Sequence, residues 1–440
     1  MWSQFKSSLE SIRDQALDAY ADLQGATANQ PGGASTTTSR RNLSSLASSF
    51  GAAHGIVVEF SDRSVRVMEQ IAEGGYSTVF LGEDVVVDGP SSAAPVRPRR
   101  YAVKRIACGG KDQLDEAKKE IGVMERLSSH ATTATATATT ATTATATNVL
   151  PLLGWTRTRG GDLDYVYMLF DLYDGNVWDV VQSRIQVGRY LSEDELDGVF
   201  RQLCLALDAM HAAGMAHRDV KPHNILLKDV DSYPYGKWSK LSSSPAVLMD
   251  FGSVTDERVV IQDRKSALQT QENAERYSTA PYRAPELWDV ASSCVVDGKV
   301  DVWAAGCVLY YMMVGETPFE RISNQAGGSL MLSILNGSFT WPDRNKVELS
   351  DKYVGIVEAC LAVDPAARPT IREVLAMVDG GGHGVVQRAR ERARARTVEA
   401  SAGEPVSLEP LGAPLPDAVP PAPPVPTASV PDAVPNLIDL

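Results

Sequence analysis

The string "HRDVKPHNILL", His217–Leu227, constrains this chain more than any other stretch. A carboxylate, an ammonium and an amide stand close together at Asp219, Lys221 and Asn224, and an apolar run follows at once. Just before it, "EDELDGVFRQLCLALDAMHAAG" repeats apolar residues at helical spacing. An amphipathic helix therefore leads into a compact polar loop, and a loop of that composition is a place where chemistry is done.

Phosphoryl transfer to an alcohol needs a carboxylate at the attacking hydroxyl, a cation near the transferring group and a magnesium ligand. Asp219, Lys221 and Asn224 suit those roles in that order. Other strings stand at fitting distances. "LMDFGS" places Asp250 thirty-one residues after Asp219, behind an apolar strand ending at Met249, where its carboxylate would hold the magnesium that bridges the phosphates. "YAVK" ends a strand at Lys104, facing phosphate. Glu120, in "EAKKEIGVMERL", is expected on a helix that turns it toward Lys104. "APE" (Ala284–Glu286), "DVWAAG" (Asp301–Gly306) and "DPAARPT" (Asp364–Thr370) follow in order.

These ordered motifs, over roughly residues 60–378, resemble a eukaryotic protein kinase domain. Lys221 in "HRDVKPHN" and Thr279 ahead of "YRAPE" resemble the serine/threonine branch, in which the threonine helps to orient the catalytic aspartate; that role carries over to Thr279. "IAEGGYSTVFLGED", "AVKRI", "VLMDFGSV", "YRAPEL" and "DVWAAGCVLYYMM" together resemble the Numb-associated kinase family, within it the serine/threonine kinase sixteen branch.

The resemblance implies an α+β, bilobal fold with a small β-rich N-lobe and a larger helical C-lobe, using ATP and Mg2+ on protein substrates. It implies an extra helix after the activation segment, expected within Asp289–Val296. Val79 and Ala102 would enclose the adenine from one side and Leu226 from the other, while Leu169, Phe170, Asp171 and Leu172, leading to Tyr173, would form a hinge offering backbone hydrogen bonds. The phosphate-covering loop departs from G-x-G-x-x-G: "AEGGYS" keeps the middle glycine, Gly74, followed by Gly75, with Ala72 and Ser77 at the outer positions. A non-catalytic adaptor built on the kinase fold is the competing reading. The complete set of Lys104, Glu120, Asp219, Asn224 and Asp250 favours an active enzyme. His217, Asp301 and the pair of Glu286 with Arg368 are expected to be structural. Arg218 is a candidate partner for a phosphate on Ser266, Thr270, Tyr277 or Ser278.

Composition limits the partners. The 440 residues carry a formal charge of −13, so no field drawing in nucleic acid is expected from the whole molecule. Five scattered cysteines without a C-x-x-C pair fit neither a disulfide framework nor a zinc site, and point to a reducing, cytoplasmic setting. The longest apolar run, Val302–Val314, is far shorter than the roughly 20 residues of a membrane helix and reads as a buried core helix. The N-terminus shows no leader pattern, and Trp2 replaces the glycine that myristoylation needs.

Residues 1–23 read as an amphipathic helix and 24–55 as a flexible linker. The kinase domain spans 56–378, and 379–440 form an Arg-rich then Pro-rich disordered tail. The Ala/Thr tract 131–147 reads as a disordered insertion at a surface turn after a helix. The terminal "NLIDL" resembles a clathrin-box peptide, with Leu437, Ile438 and Leu440 as apolar anchors, and "WSQF" resembles peptides bound by adaptor appendages. "RARERARAR", Arg388–Arg396, is suited to weak contact with anionic membrane. Several members of the resembled family act on clathrin adaptors or around the Golgi, which implies a peripheral location at Golgi or vesicle membranes.

Overall fold

The computed structural model describes residues 55–381 and 384, apart from 75–76, 86–97, 137–146, 161–162, 229–240, 327, 344–346 and 348. The expected N-terminal helix, nearly all of the linker, the Arg-rich and Pro-rich tail with Leu437–Leu440, and Gly75 lie outside the described residues. The chain forms two compact units. One draws its described residues from Met1–Gly175, Leu227–Ser232 and Met249–Gly252; the other from Asn176–Leu226, Tyr233–Leu248 and Ser253–Leu440.

The first unit is built on a six-stranded antiparallel sheet of β1 (Val57–Glu59), β2 (Ser64–Glu73), β3 (Ser77–Asp84), β4 (Arg100–Cys108), β5 (Gly154–Gly160) and β6 (Leu163–Asp171), in the order β1-β2-β3-β4-β6-β5. Side chains alternate between faces along each strand. Val65, Val67, Phe80, Tyr101, Val103, Tyr167 and Leu169 bury one face in a single apolar cluster. Gly82 is required there, because a Cβ would lie 2.6 Å from Val65 Cγ1 and 2.8 Å from Val103 Cγ2. The register sets Val79 opposite Lys104, Leu81 opposite Ala102, and Ala102 opposite Phe170, so these side chains share the other face.

Helix α1, Lys111–Ala136, buries Ala117, Glu120, Ile121, Met124 and Leu127, one stripe at three- and four-residue spacing. It runs six residues into the Ala/Thr tract, which corrects the expectation that order ends at residue 130. Lengthening an existing helix fixes one residue per hydrogen bond without a new nucleus, and the alternating alanines favour it where threonine does not.

The second unit is mostly helical: α2 (Val177–Gln186), α3 (Glu193–Ala212), α4 (Arg264–Tyr277), α5 (Lys299–Val314), α6 (Pro318–Ala326), α7 (Leu330–Leu335), α8 (Asp351–Cys360) and α9 (Ile371–Val378). Short strands lie between them: β7 (Met215–Ala216), β8 (Ile225–Leu227), β9 (Ala246–Leu248), β10 (Thr255–Asp256), β11 (Val259–Ile261) and β12 (Cys294–Val296). Helix α3 starts at a capping box formed by Ser192 and Glu195 and buries Leu196, Val199, Phe200, Leu203, Leu207 and Met210. Helix α5 is buried along nearly its whole circumference, as its continuous apolar sequence requires. It ends at Gly315, whose φ of 87° and contact with Ile185 exclude a side chain.

The extra helix is not where the sequence placed it. Residues 289–296 hold no helix and end in strand β12, which pairs with β11. A helix does stand ahead of Thr279: α4, which precedes the "APE" motif. Asp263 caps it by accepting from the Ser266 N–H at 2.8 Å.

Candidate active site

Within the second unit, the loop after β7 is held from below by α5. Asp301, 1% exposed, accepts the His217 N–H at 2.8 Å, the Arg218 N–H at 2.8 Å and the His211 imidazole at 2.9 Å. Burial alone would raise this carboxyl, but the His211 hydrogen bond and the surrounding positive charge outweigh it and hold the pKa at about 2. Arg218 takes a φ of 71°, uncommon for a non-glycine residue, and Asp301 fixes that turn. His217 is fully buried, its carbonyl accepting from Ser253 Oγ at 2.7 Å and its Nδ1 from the Asp219 N–H at 3.3 Å. His217 and Asp301 are structural, as expected.

The Asp219 carboxylate is the centre of the loop. Its Oδ1 accepts from Thr279 Oγ1 at 2.7 Å and from the Thr279 N–H at 2.9 Å, and its Oδ2 accepts from Lys221 Nζ at 2.7 Å. The Lys221 ammonium also donates to Thr279 Oγ1 at 3.0 Å. Asn224, 2% exposed, donates from Nδ2 to the Asp219 carbonyl at 2.9 Å, which leaves its amide oxygen as the group able to meet a cation. Four residues predicted from the sequence thus form one network, although Thr279 is sixty residues from Asp219.

Beyond it, Arg283 donates to Ser278 Oγ at 2.8 Å, and Arg218 donates to Thr255 Oγ1 at 2.8 Å. Of the four candidate acceptors, the hydroxyls of Ser266, Thr270 and Ser278 all donate to carbonyls of α4 or its cap. Glu286 and Arg368 form the expected pair, with two contacts of 2.7 Å. Leu226 is the half-exposed middle residue of β8, between buried Ile225 and Leu227.

Within the first unit, Lys104 Nζ lies 2.7 Å and 2.9 Å from the two Glu120 oxygens. Burial would lower the Lys104 pKa, but Glu120 and Asp250 outweigh it and raise the pKa, so the ammonium stays charged. A carboxylate in the apolar stripe of α1 is costly unless a cation meets it, and Lys104 does. Asp250 is exposed and takes a φ of 70°, which turns the chain at the end of "LMD". Ala72 pairs with Val79, Ser77 opens β3, and the Gly74 N–H donates to the Ser77 carbonyl at 2.8 Å.

One hinge residue needs correction. Leu169 turns its side chain into the core cluster, and its carbonyl accepts from the Leu153 N–H at 2.9 Å, so neither group faces the side that carries Lys104. Phe170 does face that side. Asp171 turns its carboxylate to Arg99, and Leu172 is half-buried just past the strand.

Magnesium is bound by hard oxygen donors, commonly one or two protein groups together with phosphates. The Asp250 carboxylate and the Asn224 amide oxygen fit that chemistry. Among the described residues no cluster of three or more His, Cys, Asp or Glu forms an all-protein metal cage.

The polar network around Asp219 and the Lys104–Glu120 pair define a phosphotransferase of the kinase type. Residues 66–378 match the protein kinase domain family, and the chain belongs to that family as a protein serine/threonine kinase with the bilobal α+β fold. It is similar to serine/threonine-protein kinase 16 of Rattus norvegicus and of Homo sapiens, each 32% identical over 314 residues that cover 71% of this chain and 88% of the relative. It is also 28% identical to serine/threonine-protein kinase ppk13 of Schizosaccharomyces pombe, over 73% of this chain and 92% of that one. Enzymes of this family act on proteins and use ATP with a divalent metal.

Proposed function

We propose that this kinase transfers the terminal phosphoryl group of ATP to Ser or Thr hydroxyls, with Asp219 as the base. The observation that carries this reading is the closed network of Thr279, Lys221 and Asn224 around one carboxylate. The hydroxyl proton of the substrate passes to Asp219 as its oxygen bonds to phosphorus and ADP leaves. Lys221 brings positive charge to the developing phosphoryl negative charge, and Thr279 keeps the carboxylate plane fixed. Lys104, aimed by Glu120, grips phosphate, and Asn224 and Asp250 would hold magnesium. The metal supplies neutralisation of the phosphate charge. Gly74 with Ala72 and Ser77 covers the phosphates. Val79 and Ala102, on the sheet face that carries Lys104, bound the base, and the backbone of residues 170–173 meets its edge.

In the test, pure full-length chain is incubated with magnesium and ATP on a generic protein substrate, beside a Lys104→Ala control. Phosphorylation of Ser and Thr well above the control is expected; equal signals support the adaptor reading instead.

A place in membrane trafficking, within the Numb-associated kinases, is the finer reading. The "NLIDL" segment supports recruitment of clathrin through Leu437–Leu440, and Arg388–Arg396 supports weak attachment to anionic membrane from the cytoplasmic side, at Golgi or vesicle surfaces. Clathrin recovery unchanged on removal of residues 437–440 would sink the first, and membrane binding unaffected by salt the second.

A further inference from the structure

His223 lies inside the catalytic loop, between Lys221 and Asn224, yet it takes no part in the network around Asp219. Its ring stacks on Trp178, the second residue of α2, with centroids 5.1 Å apart and planes 21° from parallel. Both side chains are exposed, Trp178 by 38%. A large indole at the surface of a helix start is unusual unless something covers it, because its apolar area stays in contact with water. Asn176 and Asp179 close a capping box around this start, with hydrogen bonds of 3.0 Å and 3.3 Å, so the helix turn that carries Trp178 is rigid.

We propose that the Trp178–His223 stack is a substrate-selecting shelf that receives an aromatic or large apolar side chain close in sequence to the acceptor Ser or Thr. This rests on the assignment of Asp219 as the base. His223 is four residues from Asp219, and a chain of four residues reaches at most about 14 Å. A substrate side chain within about four residues of an acceptor whose hydroxyl meets Asp219 can therefore reach the shelf. The shelf is flat, two ring faces stacked 21° from parallel. The nearest cation, Lys221, disfavours a basic substrate residue there, and the nearest carboxylates are already engaged, Asp219 by Lys221 and Asp179 by the helix cap. What the surface offers is π-face and apolar contact. Trp178 and His223 are positioning and selecting groups, and neither touches the reacting atoms.

The experiment uses full-length protein and a peptide library in which each of the four positions on either side of a fixed Ser or Thr is varied. The ratio of kcat/KM for the best aromatic peptide over its glycine counterpart is read for wild type, His223→Ala, Trp178→Ala and Trp178→Phe. The wild type is expected to prefer an aromatic or large apolar residue at one such position by about three- to tenfold, the worth of one stacking contact. His223→Ala and Trp178→Ala bring the ratio toward one, and Trp178→Phe keeps most of it. His223 is exposed, so its truncation leaves the melting temperature near the wild-type value and keeps the comparison independent of folding. A wild-type enzyme that phosphorylates the library with no such preference, or with a preference for arginine, overturns the shelf alone. So does a variant that changes KM for ATP while the peptide ratio stays fixed. A wild-type chain that phosphorylates no peptide above Lys104→Ala overturns the kinase assignment and the shelf together.

Discussion

The hydroxyl of Thr279 donates to the Asp219 carboxylate at 2.7 Å and accepts at 3.0 Å from the Lys221 ammonium that pairs with the same carboxylate. One threonine therefore fixes two charged groups of the loop relative to each other. Thr279→Val removes both bonds and keeps the shape. It is expected to lower kcat by about a hundredfold, the cost of a small misplacement of a base, with little change in KM for ATP. Thr279→Ser keeps most of the rate. Steady-state kinetics on a generic substrate checks both.

Glu120→Gln leaves the Lys104 ammonium without its counter-charge in the apolar stripe of α1. A loss of about tenfold or more in kcat/KM for ATP is expected, because the lysine is no longer aimed. Gln keeps the volume, so the circular dichroism of the fold is expected to stay unchanged.

Arg368 is 0% exposed, paired twice with Glu286, and lies 5.0 Å above the Trp303 ring. Glu286→Ala abandons a buried guanidinium. The expected loss of stability is about 3 kcal/mol, below the full worth of a wholly buried pair because carbonyls of Ala362, Val363 and Lys299 still accept from the arginine. Urea denaturation measures it.

The Asp301 carboxyl has a folded pKa of about 2, below its ordinary value of 3.8. The unfolded chain therefore takes up that proton first. The stability this group contributes is fully present above about pH 4 and is lost as the pH falls toward 2, in total roughly 2 kcal/mol. Asp301→Asn is expected to be less stable than wild type at pH 6 and to lose less between pH 5 and pH 3, read from urea midpoints.

Much of the site was legible because its chemistry is local. "HRDVKPHN" contains base, lysine and amide within six positions, and Lys104 with Glu120 follow from a strand end and a helix stripe. What escaped depended on direction and context. Sequence position groups Leu169 with its neighbours as a hinge, yet a strand turns alternate residues to opposite faces, and the core takes Leu169 while Phe170 faces the Lys104 side. Helix α4 carries a clear start signal in Asp263 and Ser266. Its only buried residues are Ala267 and Ala274, so no apolar stripe announces it. The stack of Trp178 on His223 joins two segments whose contact no local pattern encodes.

The Ala/Thr tract separates Glu120 from Asp219 in sequence, yet both lie within the single family match over residues 66–378. Among the described side chains of α1, the last buried one is Leu127, ahead of the tract. Deletion of residues 131–147 is expected to leave kcat within about twofold of wild type, since the closure cost of a connection changes slowly with its length.

The assignment of Asp219 as base is tested most directly by single-turnover transfer with Asp219→Asn, with ATP affinity measured separately. ATP binding within about threefold of wild type is expected, with transfer slowed by about a thousandfold, within the range general-base catalysis supplies. Transfer within tenfold of wild type, with binding intact, would contradict it.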